Sequence, residues 1–515
     1  MNVKPIKSFI LNPKNRNLML VFLFLPILFI DNRSSHDWGD DFAQYIHQAY
    51  NIVHGIPQSE TGFVYCQENY IGPAAYPAGF PLLLAPVYAI FGNNIKAFTI
   101  YISLFYFLLA FLCLFYYRRH FSEAGAIVLC IILVYNPQLL LFKQEVMSDL
   151  PFTVFLLTAI LLYKKLDLSK TRSVILYSIL TGFIIMIRTV GFVLVFAILI
   201  DHLIRIIKAY KHAKKESTLK FNLFRKLIPP LTLTAYSLVF YFLLNTIIFQ
   251  IPSSGSISDY LAFYNSGDFL NTIPANLEHY EEVFRFIYTP VFGNFNFIPL
   301  LSGFVFISMT LFGFVRKVAS KLEMTDIFTI LYLLILLLFP NNFSAFRLLI
   351  PIGFLMLHYA GIGFRSLVVP YVTSSVKKAW ILGGIMLVLF LPGLFDIATS
   401  SESVLDGPQE VATSHVFSYI RKNLPDSAVI AFFKPRALAL YTGKSGFADP
   451  FSQDPTTIHV QLMKANVDYI LINNQLTSEG MNRYVRLLRL RAREIWRNGK
   501  YRLYRIDWAN PAAQY

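Results

Sequence analysis

Apolar residues gather into long runs along the chain, and the polar stretches between the runs are of two unequal kinds. Spanning helices are predicted near 17–30, 95–117, 124–142, 148–163, 173–187, 189–207, 227–249, 297–315, 326–339, 346–364 and 379–397, several of them shorter than the ~20 residues usual for a span. One set of connections is short and basic. It holds Arg118 and Arg119, then Lys164, Lys165, Lys170 and Arg172, then the cluster from Arg205 to Lys226, then Arg316, Lys317 and Lys321, and finally Arg365, Lys377 and Lys378. The other set is long and acidic. The connection 31–94 carries Asp37, Asp40, Asp41, Glu60 and Glu68, and 250–296 carries Asp259, Asp268, Glu278, Glu281 and Glu282 against Arg285. Because short basic loops stay on the cytoplasmic side, the alternation predicts a cytoplasmic N-terminus and extracytoplasmic acidic connections.

Two segments test this layout. The N-terminal Lys4, Lys7, Lys14 and Arg16 followed by the run 17–30 resemble a signal peptide, but no small-residue cleavage site follows, so the run reads as a retained anchor. The stretch Phe80–Phe91 is apolar but short and is interrupted by Pro81 and Pro86. A span there would invert every later loop, so it reads as an interfacial or re-entrant piece. Beyond residue 398 the long runs end. Ala428–Phe433 and Val467–Ile472 read as buried strands, Val411–Asn423 and Met481–Trp496 as amphipathic helices, and Tyr501–Ile506 as an alternating edge strand. The expected fold is therefore mainly α: a polytopic helical membrane domain over 1–398 with about 11 spans, its first outer loop at 31–94, and a small α/β extracytoplasmic domain over 399–515.

Composition sharpens the class. The 515 residues are 55% hydrophobic and 15% charged, against about 25% charge in a soluble domain. The net charge of +15 sits largely in short loops between apolar runs, which argues for orientation in a bilayer among membrane lipids and against nucleic acid. Cys66, Cys113 and Cys130 have neither metal-ligand nor disulfide spacing.

Three features could carry chemistry. Asp40 and Asp41 precede Tyr45, Ala49 and Ile52 at helical spacing, so they belong at a helix N-terminus. One acid there is accounted for by capping and the helix dipole; two, with Asp37 nearby, point to a general base. Glu145 and Asp149, in Lys143-Gln144-Glu145-Val146-Met147-Ser148-Asp149, are four apart and would share a helical face, where like charges repel unless a cation lies between them. A solvated helix start serves equally well. Arg188 and Arg347 lie within apolar runs, at what should be the outer helix ends. A guanidinium at that level can grip phosphate through two hydrogen bonds or simply snorkel to headgroups.

The acid-rich first loop, the segment Tyr76-Pro77-Ala78-Gly79-Phe80-Pro81, the run Ser148-Asp149-Leu150-Pro151-Phe152, the lone Arg188 and Arg347-Leu348-Leu349-Ile350-Pro351 together resemble the integral-membrane glycosyltransferases of the C superfamily. These include protein O-mannosyltransferases, lipid A aminoarabinose transferases and lipopolysaccharide-core relatives. The resemblance covers residues 1–400 in layout. It implies a plasma (inner) membrane enzyme that moves a sugar from a polyprenyl-phosphate donor to a hydroxyl of a glycan, lipid or protein acceptor. It also implies a catalytic Asp in the first outer loop, followed four residues on by Tyr; Asp41 with Tyr45 fits, and Asp40 is its neighbour. Some relatives carry a donor-phosphate Lys in the Pro-rich segment. Residues 76–81 have none, which leaves Arg188, Arg347, His36 or His47 for that role. A divalent metal between the acidic motifs is compatible with the sequence and not required by it. An O-antigen-type polymerase or ligase would call for a large outer loop rich in Arg and His, and 250–296 is poor in both. A transporter would call for charges near mid-bilayer and repeat symmetry.

Overall fold

The structure, a computed structural model, describes residues 13–30, 32–216, 223–252, 269–288, 297–339, 346–367, 394–395, 397, 404–488 and 492–508. The chain divides into two compact units. The first comprises Met1–Asn32, Thr99–Tyr241 and Gly267–Ser401; the second comprises Arg33–Phe98, Phe242–Ser266 and Glu402–Tyr515.

The first unit is helical. Across the described residues of the whole chain, five helical stretches are long and apolar enough to cross a membrane: Ile95–Arg118, Thr189–Lys211, Lys226–Ile248, Gly303–Ser320 and Phe346–Leu367. The other expected spans that are described form shorter apolar helices, such as Asp149–Tyr163, Thr171–Ile187 and Met324–Leu338. The expected span 379–397 lies almost wholly outside the described residues. Exposed Phe304, Val305, Leu311 and Val315 on one helix are the apolar surface a bilayer would cover.

Local chemistry explains where the helices depart from the sequence reading. The run 124–142 is two helices, Glu123–Val134 and Pro137–Phe142, because Pro137 lacks an N–H and Asn136 turns to accept from the amides of Gln138 and Leu139. The expected connection 250–296 contains a 20-residue helix, Phe269–Tyr288. Its apolar positions recur at helical spacing between the acids, and it packs on Met324–Leu338. Asn276 ties the two together by donating to the carbonyls of Leu336, Leu337 and Phe339 at the open end of that helix. The helices Phe297–Ser320 and Ile350–Leu367 approach closely. A Cβ at Gly313 would overlap the Tyr359 carbonyl, and one at Gly363 the Met309 carbonyl, so only glycine permits that crossing.

The second unit holds a six-stranded sheet of order β1-β3-β2-β4-β6-β5. Its strands are β1 (Phe63–Val64), β2 (Val429–Phe432), β3 (Ser445–Ala448), β4 (Tyr469–Asn473), β5 (Ala492–Arg497) and β6 (Tyr501–Ile506). β2 lies between β3 and β4, parallel to both. Helices Pro435–Thr442 and Pro455–Lys464 provide the crossovers that parallel strands need. The core on the sheet joins Phe447, Ile458, Leu462, Ile470, Tyr484 and Val485. β1 comes from the first long connection and pairs with β3, Phe63 opposite Gly446 and Val64 opposite Phe447.

Two expectations for the C-terminal region are corrected. The predicted helix Met481–Trp496 is the helix Glu479–Leu487 followed by strand β5. Asn498 makes the reversal by accepting from the amides of Lys500 and Tyr501, and this sets β5 antiparallel to β6. As a result β6 is an interior strand between β4 and β5, not an edge.

Candidate active site

The acidic pair is in the second unit. Asp40 and Asp41 form the first turn of the helix Asp40–His54, whose N-cap is Gly39 with no side-chain cap bond. Neither carboxylate therefore occupies the N-cap position. Asp40 Oδ1 accepts from the amide of Ala437, 3.0 Å away, in the first turn of Pro435–Thr442. Asp41 Oδ1 accepts from the Tyr76 hydroxyl at 2.6 Å and from Arg436 Nη1 at 3.1 Å.

Arg436 is the hub of this cluster and is 1% exposed. Its Nη1 also donates to the Tyr76 oxygen and its Nη2 to the Pro73 carbonyl. The guanidinium lies over the rings of Phe63 and Tyr76, 4.7 and 5.2 Å from their centroids, and Asp40 Oδ2 is 4.0 Å from Nε. Gly72, at φ +137°, leaves room for it; a Cβ there would sit 2.5 Å from Nη2. Burial works against the Arg436 charge, but Tyr76, Asp40 and Asp41 outweigh it and hold the group protonated. Burial likewise pushes the Asp40 carboxyl up, against the pull of Arg436 and Lys434. The Tyr76 hydroxyl is pushed well above its ordinary range by burial, so it serves as a donor.

The helix Asp40–His54 holds the connection in place through a stripe of buried amides at helical spacing. Gln44 donates to the Ala74 carbonyl, Gln48 exchanges bonds with the Tyr76 backbone, and Asn51 donates to the carbonyls of Pro57 and Glu60. Buried loop backbone must find such partners. Tyr45 stacks on Tyr76, centroids 4.6 Å apart, and meets Phe80 edge-on. The tyrosine four residues after Asp41 thus supports the one that donates to Asp41. Upstream, Trp38 Nε1 donates to Asp406 Oδ1. His36 stacks on Phe42 with its Nδ1 3.1 Å from Asp37 Oδ1. Burial opposes the Asp37 charge, yet His36 and the Gly39 amide leave its carboxyl below the ordinary range. Burial lowers the His47 pKa to about 4, so this imidazole is neutral and a poor partner for phosphate.

The remaining candidates are in the first unit. Arg188 ends the helix Thr171–Ile187 in extended conformation. Its Nη1 donates to Asp149 Oδ1 and to Ser148 Oγ, the latter at 3.3 Å. Asp149 is fully buried, while the Arg188 side chain is 17% exposed. Arg347, in the turn Phe346–Leu349, places Nη1 3.9 Å from Met147 Sδ. The expectation that Glu145 and Asp149 share a helical face is overturned. The helix begins at Asp149, and Glu145 lies in the non-helical stretch before it, where its carbonyl accepts from the Met147 amide. Lys143, in the same motif, is fully buried, with Nζ 3.1 Å from Ser103 Oγ and 3.2 Å from Asn32 Oδ1. Within each unit an acidic motif already has a guanidinium counter-ion, against which a metal would have to compete.

Sequence reasoning missed Arg436. The only signal was Lys434-Pro435-Arg436 directly after a predicted buried strand, a place for a helix first turn. Asp40, Asp41 and Tyr76 stand out in the sequence; their convergence on one arginine does not.

The family model for dolichyl-phosphate-mannose-protein mannosyltransferase matches residues 76–223. No curated protein matches the chain by sequence. Among solved structures, ArnT from Cupriavidus metallidurans bound to undecaprenyl phosphate superposes at TM-score 0.54 with 12% identity, covering 96% of this chain and 99% of that one. The chain shares the fold of that membrane protein. The Archaeoglobus fulgidus oligosaccharyltransferase tethered to an acceptor peptide containing the NVT sequon shares this fold at TM-score 0.53, with 11% identity over 90% of this chain and 70% of that one. The same enzyme in complex with zinc and sulfate matches at TM-score 0.53 and 12% identity, over 88% and 67%.

Proposed function

We propose that the protein transfers a sugar from a polyprenyl-phosphate donor to an acceptor hydroxyl, with inversion, on the extracytoplasmic side of the plasma membrane. The observation that carries this reading is the clamped Asp41. It is a partly exposed carboxylate, oriented through one oxygen by Tyr76 and Arg436, on a chain with the C-superfamily fold. ArnT of that fold is described with undecaprenyl phosphate, which supports a lipid-linked donor here.

In the proposed reaction the acceptor hydroxyl donates its hydrogen bond to Asp41. Its oxygen forms the new bond to the anomeric carbon, the carbon–oxygen bond to the phosphate breaks with its electron pair on the phosphate, and the proton passes to Asp41. Arg436 and Tyr76 hold the carboxylate in one orientation, which limits the entropy lost on reaching the transition state. Arg188 or Arg347 would receive the charge developing on the departing phosphate. Arg188 is already oriented by Asp149 and Ser148, which makes it the better preorganised of the two. Asp40 serves position, since its Oδ1 accepts from the Ala437 amide.

The test is transfer of label from polyprenyl-phosphate sugars into membrane glycolipid, polysaccharide or protein, in membranes with and without the protein. Label that depends on the protein and is lost in Asp41→Asn supports the reading; equal incorporation with and without the protein across hexose and pentose donors refutes it. A reporter active only outside the cytoplasm, fused after Tyr515, should be active, and silent when fused near Lys214. The reverse pattern overturns the assigned side.

A further inference from the structure

The first unit has a cavity at its basic connections, lined by none of the residues assigned above. Its floor is buried and largely apolar: Tyr116, Ile160, Tyr163 and Met324. Its rim carries Arg119, Lys164 and Arg205, from three successive parts of the chain, against the single carboxylate of Glu323. The cavity is partly open, and its volume of about 40 Å³ would hold a few waters, which is the size of a phosphate group.

The charges around the cavity are not balanced by their neighbours. Glu323 is shared among Lys321 at 3.0 Å, Lys317 at 3.5 Å and Lys164 at 3.9 Å. Lys317 also leans on Asp326 at 3.4 Å. Arg205 is held by Asp201 at 2.7 Å, and Asp201 also accepts from the Tyr163 hydroxyl at 2.5 Å, beside His202. Arg119 has no carboxylate partner among the described residues; its Nη1 donates to the Leu161 carbonyl. Arg119 and Lys164 therefore face the cavity with excess positive charge. Cations at helix C-termini are favourable in themselves, but that accounts for charge at the rim and not for a cavity beneath it.

The surroundings select among anions. Exposed apolar side chains stand within about a turn of the rim cations in sequence: Phe115 before Arg119 and Leu162 before Lys164, each cation just past its helix end, and Leu203 and Ile207 either side of Arg205. A soluble anion gains nothing from these. A phospholipid would cover them with its acyl chains while its phosphate enters the cavity. Basic pockets between membrane helices are a recognised form of headgroup site.

We propose that this cavity binds the phosphate headgroup of an anionic glycerophospholipid, with Arg119 and Lys164 as the principal ligands and the aromatic floor below. The assignment is independent of the reaction proposed above, because none of its residues belongs to that chemistry. Its effect would be to anchor the basic end of the unit to one lipid and make stability depend on membrane composition.

The experiment uses the full chain in neutral detergent and reads bound lipid by native mass spectrometry, with melting temperature as a second readout. Phosphatidylglycerol should bind with one-to-one stoichiometry and raise the melting temperature, while phosphatidylcholine should do neither. The double variant Arg119→Gln/Lys164→Gln should lose roughly tenfold to thirtyfold in affinity, as expected for removing two headgroup cations. Lys165→Gln, an exposed neighbouring cation outside the cavity, should stay within about twofold as the control for general surface charge. Should the double variant misfold, Arg119→Gln alone is read in its place and should still lose affinity. Retention of phosphatidylglycerol by the variant at the parental level overturns the proposal. So does an equal loss in Lys165→Gln, which would mean diffuse attraction, and so does displacement of the lipid by millimolar inorganic phosphate, which would mean a site for the free anion.

Discussion

Replacing Arg436 tests the candidate site most directly. The side chain is 1% exposed and donates at 3.0–3.1 Å to Asp41, Tyr76 and the Pro73 carbonyl, with a second carboxylate, Asp40, at 4.0 Å. Arg436→Met keeps most of the volume and removes the charge. Two poorly solvated carboxylates and a carbonyl are then left without their counter-ion, and losing one partner of a buried pair costs about 3–5 kcal/mol. Arg436→Lys keeps the charge but cannot reach three acceptors from one plane. It should lose one or two charge-assisted bonds, each worth about 1.5–3 kcal/mol. The assay is chemical unfolding of the full chain in detergent, read for the parent, both Arg436 variants, Asp41→Asn and the double variant Asp41→Asn/Arg436→Met. The double variant should be more stable than the sum of the single losses predicts, since removing Asp41's charge relieves part of what the missing guanidinium exposed. Transfer should respond as well. Arg436 pulls the Asp40 carboxyl down, and a cation hydrogen-bonded to a carboxylate, as Arg436 is to Asp41, favours the charged form, so without it the acid limb of the pH–rate profile should move to higher pH. If Arg436→Met unfolds within about 1 kcal/mol of the parent, couples to nothing and leaves that profile unchanged, the clamp reasoning is wrong.

Asp41→Asn should lose some stability, because Arg436 loses a charged partner, but stay folded and reduce transfer by ~10²–10⁴, the usual worth of a general base, whereas Asp40→Asn should show a loss of stability with transfer largely kept; the opposite split in transfer assays would exchange their roles. Arg188→Met should destabilise by about 3–5 kcal/mol by stranding the buried Asp149, and adding Asp149→Asn should recover most of it in unfolding measurements. Arg188→Lys should fold but bind a polyprenyl-phosphate donor more weakly in equilibrium binding, and unchanged binding would make the arginine structural. Burial pushes the Asp449 carboxyl up to about 7, from 3.8. The folded state therefore holds this proton where the unfolded state has released it, and the penalty grows as pH rises from about 4 to 7, to at most about 4 kcal/mol. Asp449→Asn should melt higher than the parent at pH 8 and converge with it toward pH 4, and parallel melting curves across that range would refute the assignment.

The elements legible in the sequence are those whose signal is local. Helix Val411–Asn423 and strands β2 and β4 show in their own periodicity or apolar run, and the placement of Asp40 and Asp41 at a helix start follows from Tyr45, Ala49 and Ile52. What stayed hidden depends on distant partners. β1 is two residues long and is a strand only because β3 pairs with it. Asn69 donates to the Ala448 carbonyl 379 residues away. β5 has a helix-like pattern, and the Asn498 turn and pairing with β6 override it. Arg436 looks like one basic residue among many until the fold buries it on Asp41.

The contact between Asp40 and the Ala437 amide has a further consequence. In doubly wound sheets the crevice beyond the carboxyl ends of the strands, where the crossovers part in opposite directions, is where ligands lodge, and the helix N-terminus there favours an anion. β2 is flanked by parallel strands on both sides, and the helix that follows it is Pro435–Thr442. The anion at its N-terminus is a carboxylate from the same polypeptide. The C-terminal sheet thus behaves as a receptor whose ligand is covalently tethered. Tethering makes the contact intramolecular, so a contact too weak to capture a free carboxylate from solution can still form.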